Sequence, residues 1–250
     1  MTKYKRTRRT GLIDPLSLHS VYNGYDSLIL SDSPVGFWPM QEAGGNVIDI
    51  SGNNHTGTKV GAGNINYQAS GPAGDINSIE FPGITATGFS VANNVAWSSG
   101  SFTIEGWVYL DSLAVYPFWL AKQRTSSFHE HSAAIHYTSG YQAVVTQSSD
   151  VAWMSALSSS TPLFETWLHQ VVVMDATIPS LTVYVNGVVV AQDTTTSGSR
   201  SSAGTGVLGL GYRPGLNGDN YAMKGRLTML AFYDYTLTPT QIANHHSAMQ

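Results

Sequence analysis

The sequence predicts an all-β fold: a two-sheet antiparallel jelly-roll sandwich with a short C-terminal helix and an extended N-terminal arm. Three observations predict it. Apolar and polar residues alternate along several short segments, clusters of Gly, Asn, Asp and Ser separate these segments, and a helix start signal stands near the C-terminus. This pattern is typical of sandwiches and jelly rolls, which run to roughly 250 residues as one domain.

The segment 102–110 has the period-two pattern of a sandwich strand. One predicted face consists of Phe102, Ile104, Gly106, Val108 and Leu110, and the other of Thr103, Glu105, Trp107 and Tyr109. Further strands are predicted over 169–175, 207–212 and 225–233. Residues 181–190 read as a hairpin, because Asn186-Gly187 supplies the positive φ angles of a type I′ turn.

The C-terminal segment carries the signals of a helix start. Thr238 and Gln241 form a predicted capping box, and Pro239 stands at the first helical position. We interpret His245 and His246 as the end of this helix, where a positive side chain suits the dipole.

The charge distribution separates residues 1–24, a basic extended arm, from the predicted sandwich domain 25–250. Residues 1–9 of the arm carry Lys3, Lys5, Arg6, Arg8 and Arg9, and residues 10–250 hold seven basic and sixteen acidic residues, a net charge of −9. Apolar residues follow the basic ones, among them Leu12, Ile13 and Leu16. We expect this arm to order on a protein partner, with a solvated tail as the alternative. Nucleic acid is not an expected partner, because the body offers no basic face.

Composition excludes several chemistries. The chain has no cysteine, so neither a disulfide nor a thiolate nucleophile is available. We expect no signal peptide, because no apolar stretch of adequate length follows the basic residues. No apolar run approaches the ~20 residues of a transmembrane helix, and we expect no membrane partner.

Five segments in order resemble the laminin-G-like, concanavalin A-like jelly-roll family, of the type found in phage structural proteins and lectins. They are FTIEGWV at 102–108, WLHQVVV at 167–173, LTVYVNGV at 181–188, LGLGY at 208–212, and the closing strand and helix at 225–242. Residues 30–57 are similar to the family's opening, so the resemblance covers residues ~25–248.

The resemblance implies binding of glycans or proteins, often beside a calcium ion. The matching positions for calcium are Asp49 and Asn53, since calcium takes oxygen ligands. The family's closing strand usually carries an acidic pair where this chain has Thr228 and Met229, which removes two expected ligands. A turn stabilised by its own side chains is the alternative for Asp49 and Asn53.

We expect a non-enzymatic protein. A retaining glycosidase needs two carboxylates about 5 Å apart, and Glu105 has no acidic neighbour on its strand face. Glu130 stands between His129 and His131, which we interpret as an exposed polar loop rather than a metal site. The candidate platforms for a ligand are Trp119 and Trp153. The other strand tryptophans, Trp38, Trp107 and Trp167, are assigned to core or edge packing.

These observations favour a virion structural protein, a phage capsid decoration or fibre protein on the outer surface of the particle. Its arm would bind capsid or other virion proteins, and its sandwich would face outward toward host surface glycans. A homo-oligomer fits this reading. The alternative is a cellular carbohydrate-binding lectin that acts outside the cell. Calcium is the candidate cofactor of that alternative.

Overall fold

The structure is a computed structural model that describes residues 24–84, 86–98, 100–111, 117–123, 129–136, 140–146, 152–195, 205–215 and 222–250. In residues 129–136, 146, 152 and 153 it describes the backbone alone. The arm residues Lys3, Lys5, Arg6, Arg8, Arg9, Leu12, Ile13 and Leu16 lie outside the described residues. The arm therefore stays a prediction.

Two antiparallel sheets form the sandwich, as predicted. The larger sheet contains β1 (Gly36–Trp38), β3 (Asn66–Ser70), β4 (Asn77–Pro82), β6 (Phe102–Leu110), β11 (Leu168–Asp175), β12 (Ser180–Val185), β13 (Val188–Asp193) and β15 (Lys224–Tyr233). The smaller sheet contains β2 (Thr58–Val60), β5 (Gly88–Val91), β7 (Phe118–Gln123), β8 (His129–His136), β9 (Gly140–Thr146), β10 (Ala152–Leu157) and β14 (Leu208–Leu210).

The strand orders place the middle and the end of the chain side by side. The larger sheet runs β13-β12-β11-β6-β15-β4-β3, with β1 also paired to β15, and the smaller runs β10-β9-β8-β7-β14-β5-β2. The central strand β6 therefore pairs with β11 on one side and with β15 on the other.

The alternation predicted for β6 is confirmed. Phe102, Ile104, Val108 and Leu110 join the core between the two sheets. Trp107 joins a second apolar cluster on the outer face of the larger sheet. Because side chains of one strand alternate between faces, β6 stabilises both layers.

Two helices cover part of that outer face: α1 (Tyr25–Ser31) and α2 (Pro239–Ser247). In α1, Tyr25 and Ile29 are buried against the sheet, and in α2 so is Ile242. A one-turn 3-10 helix also lies at Val95–Trp97. The sequence did not predict α1, because it is seven residues long and Gly24 provides no side-chain cap. Tertiary packing, not local signals, stabilises it.

The predicted local motifs of the hairpin and the C-terminal helix are confirmed. Asn186 and Gly187 have φ angles of 50° and 77°, as a type I′ turn requires. The Thr238 hydroxyl accepts from the Gln241 backbone N–H, and the Gln241 side chain accepts from the Thr238 N–H. The strand predicted over 207–212 is shorter than expected, since Gly211 takes a φ angle of 78° directly after β14.

Candidate functional site

Trp119, a predicted ligand platform, lies in the core. Its exposed fraction is 1%, and its indole N–H donates to Gln170 Oε1 at 3.0 Å. A β-bulge between Phe118 and Leu120 accompanies this placement. The prediction of an exposed platform at Trp119 is therefore wrong. Trp153 lies in β10, but its side chain is outside the description, so that candidate stays a prediction.

Asp49 and Asn53, the calcium candidates, hold a turn together. Asp49 Oδ1 accepts from the backbone N–H groups of Phe37 and Ser51, both at 2.9 Å, and Oδ2 accepts from that of His55 at 2.8 Å. Asn53 donates its amide to Val35 O at 3.0 Å. Three N–H donors point their positive ends at the Asp49 carboxylate, and a cation there would meet the same positive ends. The turn interpretation fits these contacts, and a calcium site does not.

Thr228, at the position where the family usually has an acid, is fully buried in a compact polar cluster. The Gln41 amide nitrogen lies 2.8 Å from Pro39 O, 2.8 Å from Asn77 O and 2.9 Å from Thr228 Oγ1. The backbone N–H of Asn77 donates to Gln41 Oε1 at 2.9 Å, which determines the orientation of the amide.

A calcium ion does not fit this cluster. An amide nitrogen occupies the space between the three oxygens, and neither Gln41 nor Thr228 contributes a carboxylate. In the described part of the chain, no group of three or more His, Asp or Glu side chains could hold a metal ion.

A row of five side chains crosses the larger sheet's outer face beyond the part that α1 and α2 cover. We call it the cross-strand row: Trp167, Tyr109, Arg226, Glu80 and Asn66. The strand register pairs Tyr109 with Arg226, Arg226 with Glu80, and Glu80 with Asn66. Trp167 directly precedes β11, where Leu168 pairs with Val108 of β6. All five are half-buried or exposed, unlike the helix-covered residues of the same face.

Ring contacts join the aromatic end of the row. The Tyr109 and Trp167 ring centres are 5.5 Å apart, and the Arg226 guanidinium carbon is 4.7 Å from the Tyr109 ring centre. This cation–π contact helps to fix the position of the guanidinium over the Tyr109 ring. Trp167, which was assigned to packing from the sequence, packs against the outer-face cluster but is only half-buried.

Arg226 has no hydrogen-bond acceptor among the described residues. Its Nε atom is buried without a partner, although Glu80 stands directly across the strand pair. A guanidinium has five N–H donors, and a buried donor that makes no hydrogen bond costs about 1–3 kcal/mol of stability. The guanidinium therefore contacts the Tyr109 ring and keeps N–H donors that no described residue accepts.

The polar end of the row adjoins a cavity. Asn66 donates its amide to Glu80 Oε2 at 2.8 Å. Both residues line an open cavity of about 220 Å³, together with Asn64, Phe81, Pro82, Asp111 and Lys224. Lys224 and Pro82 pair two residues further along the same two strands, and therefore on the same face as Arg226 and Glu80. The cavity and the row therefore form one continuous surface.

A second group of ionisable residues lies buried beneath the helices. His245 Nδ1 is 3.0 Å from Glu105 Oε1, and His245 Nε2 is 2.9 Å from Asp32 Oδ2. His169 Nε2 is 3.0 Å from Glu105 Oε2, and the Tyr233 hydroxyl donates to Glu105 Oε1 at 2.6 Å. Glu105, His169 and His245 are all fully buried. We call Asp32, His245, Glu105, His169 and Tyr233 the buried network.

The contacts determine the protonation of the network. Carboxylates flank both nitrogens of His245, so both nitrogens must carry protons to donate. Burial alone would lower the pKa of His245, but hydrogen bonds and charge from Glu105, then Asp32, raise it above its usual 6.5. Burial alone would raise the pKa of Glu105, but hydrogen bonds from His169 and His245, and their charges, lower it from 4.5 to about 2.

Sequence reasoning missed both groups. Tyr109 and Glu105 were correctly placed on the face of β6 opposite Ile104 and Val108, but the pairing of the strands decides which residues stand beside them. The assignment of His129–His131 to a loop is wrong, because β8 begins at His129. The description of β8 stops at its backbone, so the exposure of these histidines remains a prediction.

The sequence and the fold of this chain are similar to those of known proteins. A laminin G family model, described as the concanavalin A-like lectin/glucanases superfamily, matches residues 84–243. No curated protein matches the chain. No helix of the described residues is long and apolar enough to cross a membrane.

Several solved structures share the fold. Domain 4 of AbnA, an extracellular arabinanase from Geobacillus stearothermophilus solved with arabinotriose, has a TM-score of 0.65 and 17% identity over 86% of this chain and 98% of that one. The binding domain of Paraclostridial Mosquitocidal Protein 1 has a TM-score of 0.62 and 14% identity over 87% and 52%.

A third structure comes from work on botulinum neurotoxin type C, whose cell entry depends on two ganglioside molecules. It has a TM-score of 0.65 and 14% identity over 90% of this chain and 53% of that one. The chain thus spans nearly all of the arabinanase domain and about half of the toxin structures. At these identities the likeness concerns the fold.

Proposed function

Because the chain belongs to the concanavalin A-like lectin/glucanase superfamily, we propose that it is a carbohydrate-binding protein whose ligand binds on the cross-strand row. The observation that carries the proposal is the Arg226 guanidinium, which Tyr109 orients and which lacks an acceptor among the described residues. The row combines a tryptophan and a tyrosine with guanidinium, carboxylate and amide groups, which suit the apolar face and the hydroxyls of a sugar ring.

The fold neighbours support a carbohydrate as the ligand. One was solved with arabinotriose, and another concerns a toxin that interacts with gangliosides. At such low sequence identity, the ligands and binding sites of these proteins cannot be assigned to this chain. The proposed binding site therefore rests on the contacts within the cross-strand row of this chain.

We propose that the protein binds carbohydrate without cleaving it. The pKa of Glu105 is lowered by hydrogen bonds from His169 and His245 despite its burial. A low pKa keeps the carboxyl ionised, so Glu105 is not a proton donor at neutral pH. It is also fully buried beneath the helices, where no polysaccharide reaches it.

A virion role is a second candidate, favoured by the contrast between the basic residues 1–9 and the net charge of −9 on residues 10–250. In that case the arm binds an acidic surface on the particle and the sandwich presents its row outward. Deletion of residues 1–23 tests it: particles should no longer incorporate the truncated protein. Normal incorporation would refute the anchoring role.

Binding is tested with the full chain on a glycan array and on immobilised arabinan, xylan, cellulose and chitin. We expect saturable binding to at least one carbohydrate. Arg226→Ala should weaken it by roughly tenfold to a hundredfold, as expected when about 1.5–3 kcal/mol of hydrogen bonding to a charged group is lost.

The matched control is Lys59→Ala, which removes an exposed cation from β2 of the other sheet and should leave affinity unchanged. Equal binding by the wild type and Arg226→Ala would exclude the row as the site. Absence of binding to every probe would refute the proposed function. Release of reducing sugar that Glu80→Gln abolishes would contradict the non-enzymatic assignment.

A further inference from the structure

The cross-strand row runs perpendicular to the strands. Its residues come from β3, β4, β15, β6 and the residue before β11, which are consecutive neighbours in the sheet. Neighbouring strands lie about 4.8 Å apart, so four intervals give the row a length of roughly 19 Å. This length exceeds that of a single sugar ring several times over.

The two ends of the row differ in chemistry. At one end, Trp167 and Tyr109 offer ring surface, with centres 5.5 Å apart. At the other end, Asn66 and Glu80 offer polar groups and border the cavity of about 220 Å³. Arg226 lies between the ends and contacts the Tyr109 ring. A ligand that satisfies both ends must bridge from one to the other.

We infer that this surface takes an extended oligosaccharide, a trisaccharide or longer, laid across the strands rather than a single terminal sugar. The inference rests on the proposed function and specifies its ligand class. One sugar stacks on Trp167 and Tyr109, a middle unit lies at Arg226, and a further unit reaches Asn66 and the cavity. The row lies on an open sheet face, so the chain can extend beyond either end.

The test is the dependence of affinity on ligand length, measured by calorimetry on the full chain. The probes are arabino-, cello-, xylo- and chito-oligosaccharides of one to five units. For the series that binds, we expect affinity to rise at least tenfold from the monosaccharide to the trisaccharide and to change less with further units. Equal affinity of the monosaccharide and the pentasaccharide would overturn the inference.

Variants at the two ends give a second readout. Trp167→Ala should weaken every member of the series, because the aromatic end binds even a short ligand. Asn66→Ala should weaken the trisaccharide and longer chains by several-fold and leave the monosaccharide unchanged. The matched control is Asn93→Ala, an exposed amide outside the row, which should affect no length.

The failures of the inference and of the proposed function are distinguishable. If Asn66→Ala weakens the monosaccharide as much as the pentasaccharide, one sugar makes all the contacts and the inference is wrong, while carbohydrate binding stands. If no oligosaccharide and no polysaccharide binds, the proposed function itself is refuted. Thermal denaturation of each variant shows whether a loss of affinity comes from unfolding, and Trp167→Phe replaces Trp167→Ala if the latter unfolds.

Discussion

His245 and Glu105 form a buried ion pair that joins the C-terminal helix to the central strand of the larger sheet. His245 Nδ1 lies 3.0 Å from Glu105 Oε1, and both side chains are fully buried. Since Asp32 at the end of α1 accepts from the other nitrogen of His245, one imidazolium links both helices to β6. The helices thus dock through a polar contact as well as through apolar packing.

Replacing Glu105 should destabilise the fold. Glu105→Gln keeps the shape of the side chain and removes its charge, which leaves the His245 imidazolium with less compensation and disturbs the bonds from His169 and Tyr233. Breaking a buried pair in this way costs about 3–5 kcal/mol. Chemical denaturation measures the change, and Asp234→Asn, at an exposed carboxylate, is the isosteric control. A loss no larger than that of the control would contradict the role of the network.

The buried network should make stability depend on pH from both sides. The pKa of Glu105 is lowered from 4.5 to about 2, so its contribution is present above pH 4.5 and is lost as the pH falls through about 2. The pKa of His245 is raised above 6.5, so its contribution is present below 6.5 and is lost as the pH rises through the higher folded value. We expect these contributions to be largest between about pH 4.5 and 6.5.

Melting temperatures of the wild type and His245→Asn between acidic and alkaline pH test this dependence. The melting temperature of the wild type should fall on the alkaline side of the maximum. His245→Asn should melt lower at every pH and should not show this alkaline decrease. Asp32, His169 and Tyr233 face the same groups and are unchanged in the variant. An alkaline limb that is identical in both proteins would show that another group causes it.

Calcium should not affect the protein. The Gln41 amide nitrogen stands between Pro39 O, Asn77 O and Thr228 Oγ1, where a cation would need carboxylate ligands. We expect the same melting temperature and the same carbohydrate affinity in calcium chloride and in EDTA. A rise in melting temperature with calcium that EDTA reverses would contradict the fit of these contacts.

The amide itself should contribute to stability. Gln41→Ala removes the amide that contacts Pro39 O, Asn77 O and Thr228 Oγ1 and accepts from the Asn77 N–H, and it should cost about 1–3 kcal/mol in the free energy of unfolding. Gln192→Ala, at an exposed glutamine in β13, should cost less than that. Equal costs at the two positions would mean that the polar cluster does not stabilise the fold.

Trp119 should matter for stability and not for ligand binding. Trp119→Phe removes the indole N–H that Gln170 accepts and leaves a gap in the core, at a cost of about 2–4 kcal/mol. Trp167→Phe, at the half-exposed row, should cost less stability and more affinity. Denaturation curves and calorimetry compare the two variants, and a loss of affinity in folded Trp119→Phe would place Trp119 near the ligand.

The alternating residues of β6 show how far sequence reasoning could go. They identified the strand and correctly separated Ile104 and Val108 from Glu105 and Trp107, because alternation is a local property of an extended chain. They could not identify what stands beside Glu105: His169 and His245 are 64 and 140 residues away in the sequence. Trp119 was misjudged for the same reason, since its burial depends on the opposite sheet, where Gln170 accepts from its indole N–H.

The sequence by itself determined the local elements: the two faces of β6, the Asn186-Gly187 turn and the capping box of Thr238 and Gln241, each set by the conformational preferences of neighbouring residues. Only the tertiary structure decided the composition of the cross-strand row and of the buried network. Tyr109, Arg226 and Glu80 meet because β6, β15 and β4 pair in one particular register. That register depends on the packing of the whole sandwich, and a shift of one residue would turn each of these side chains into the core.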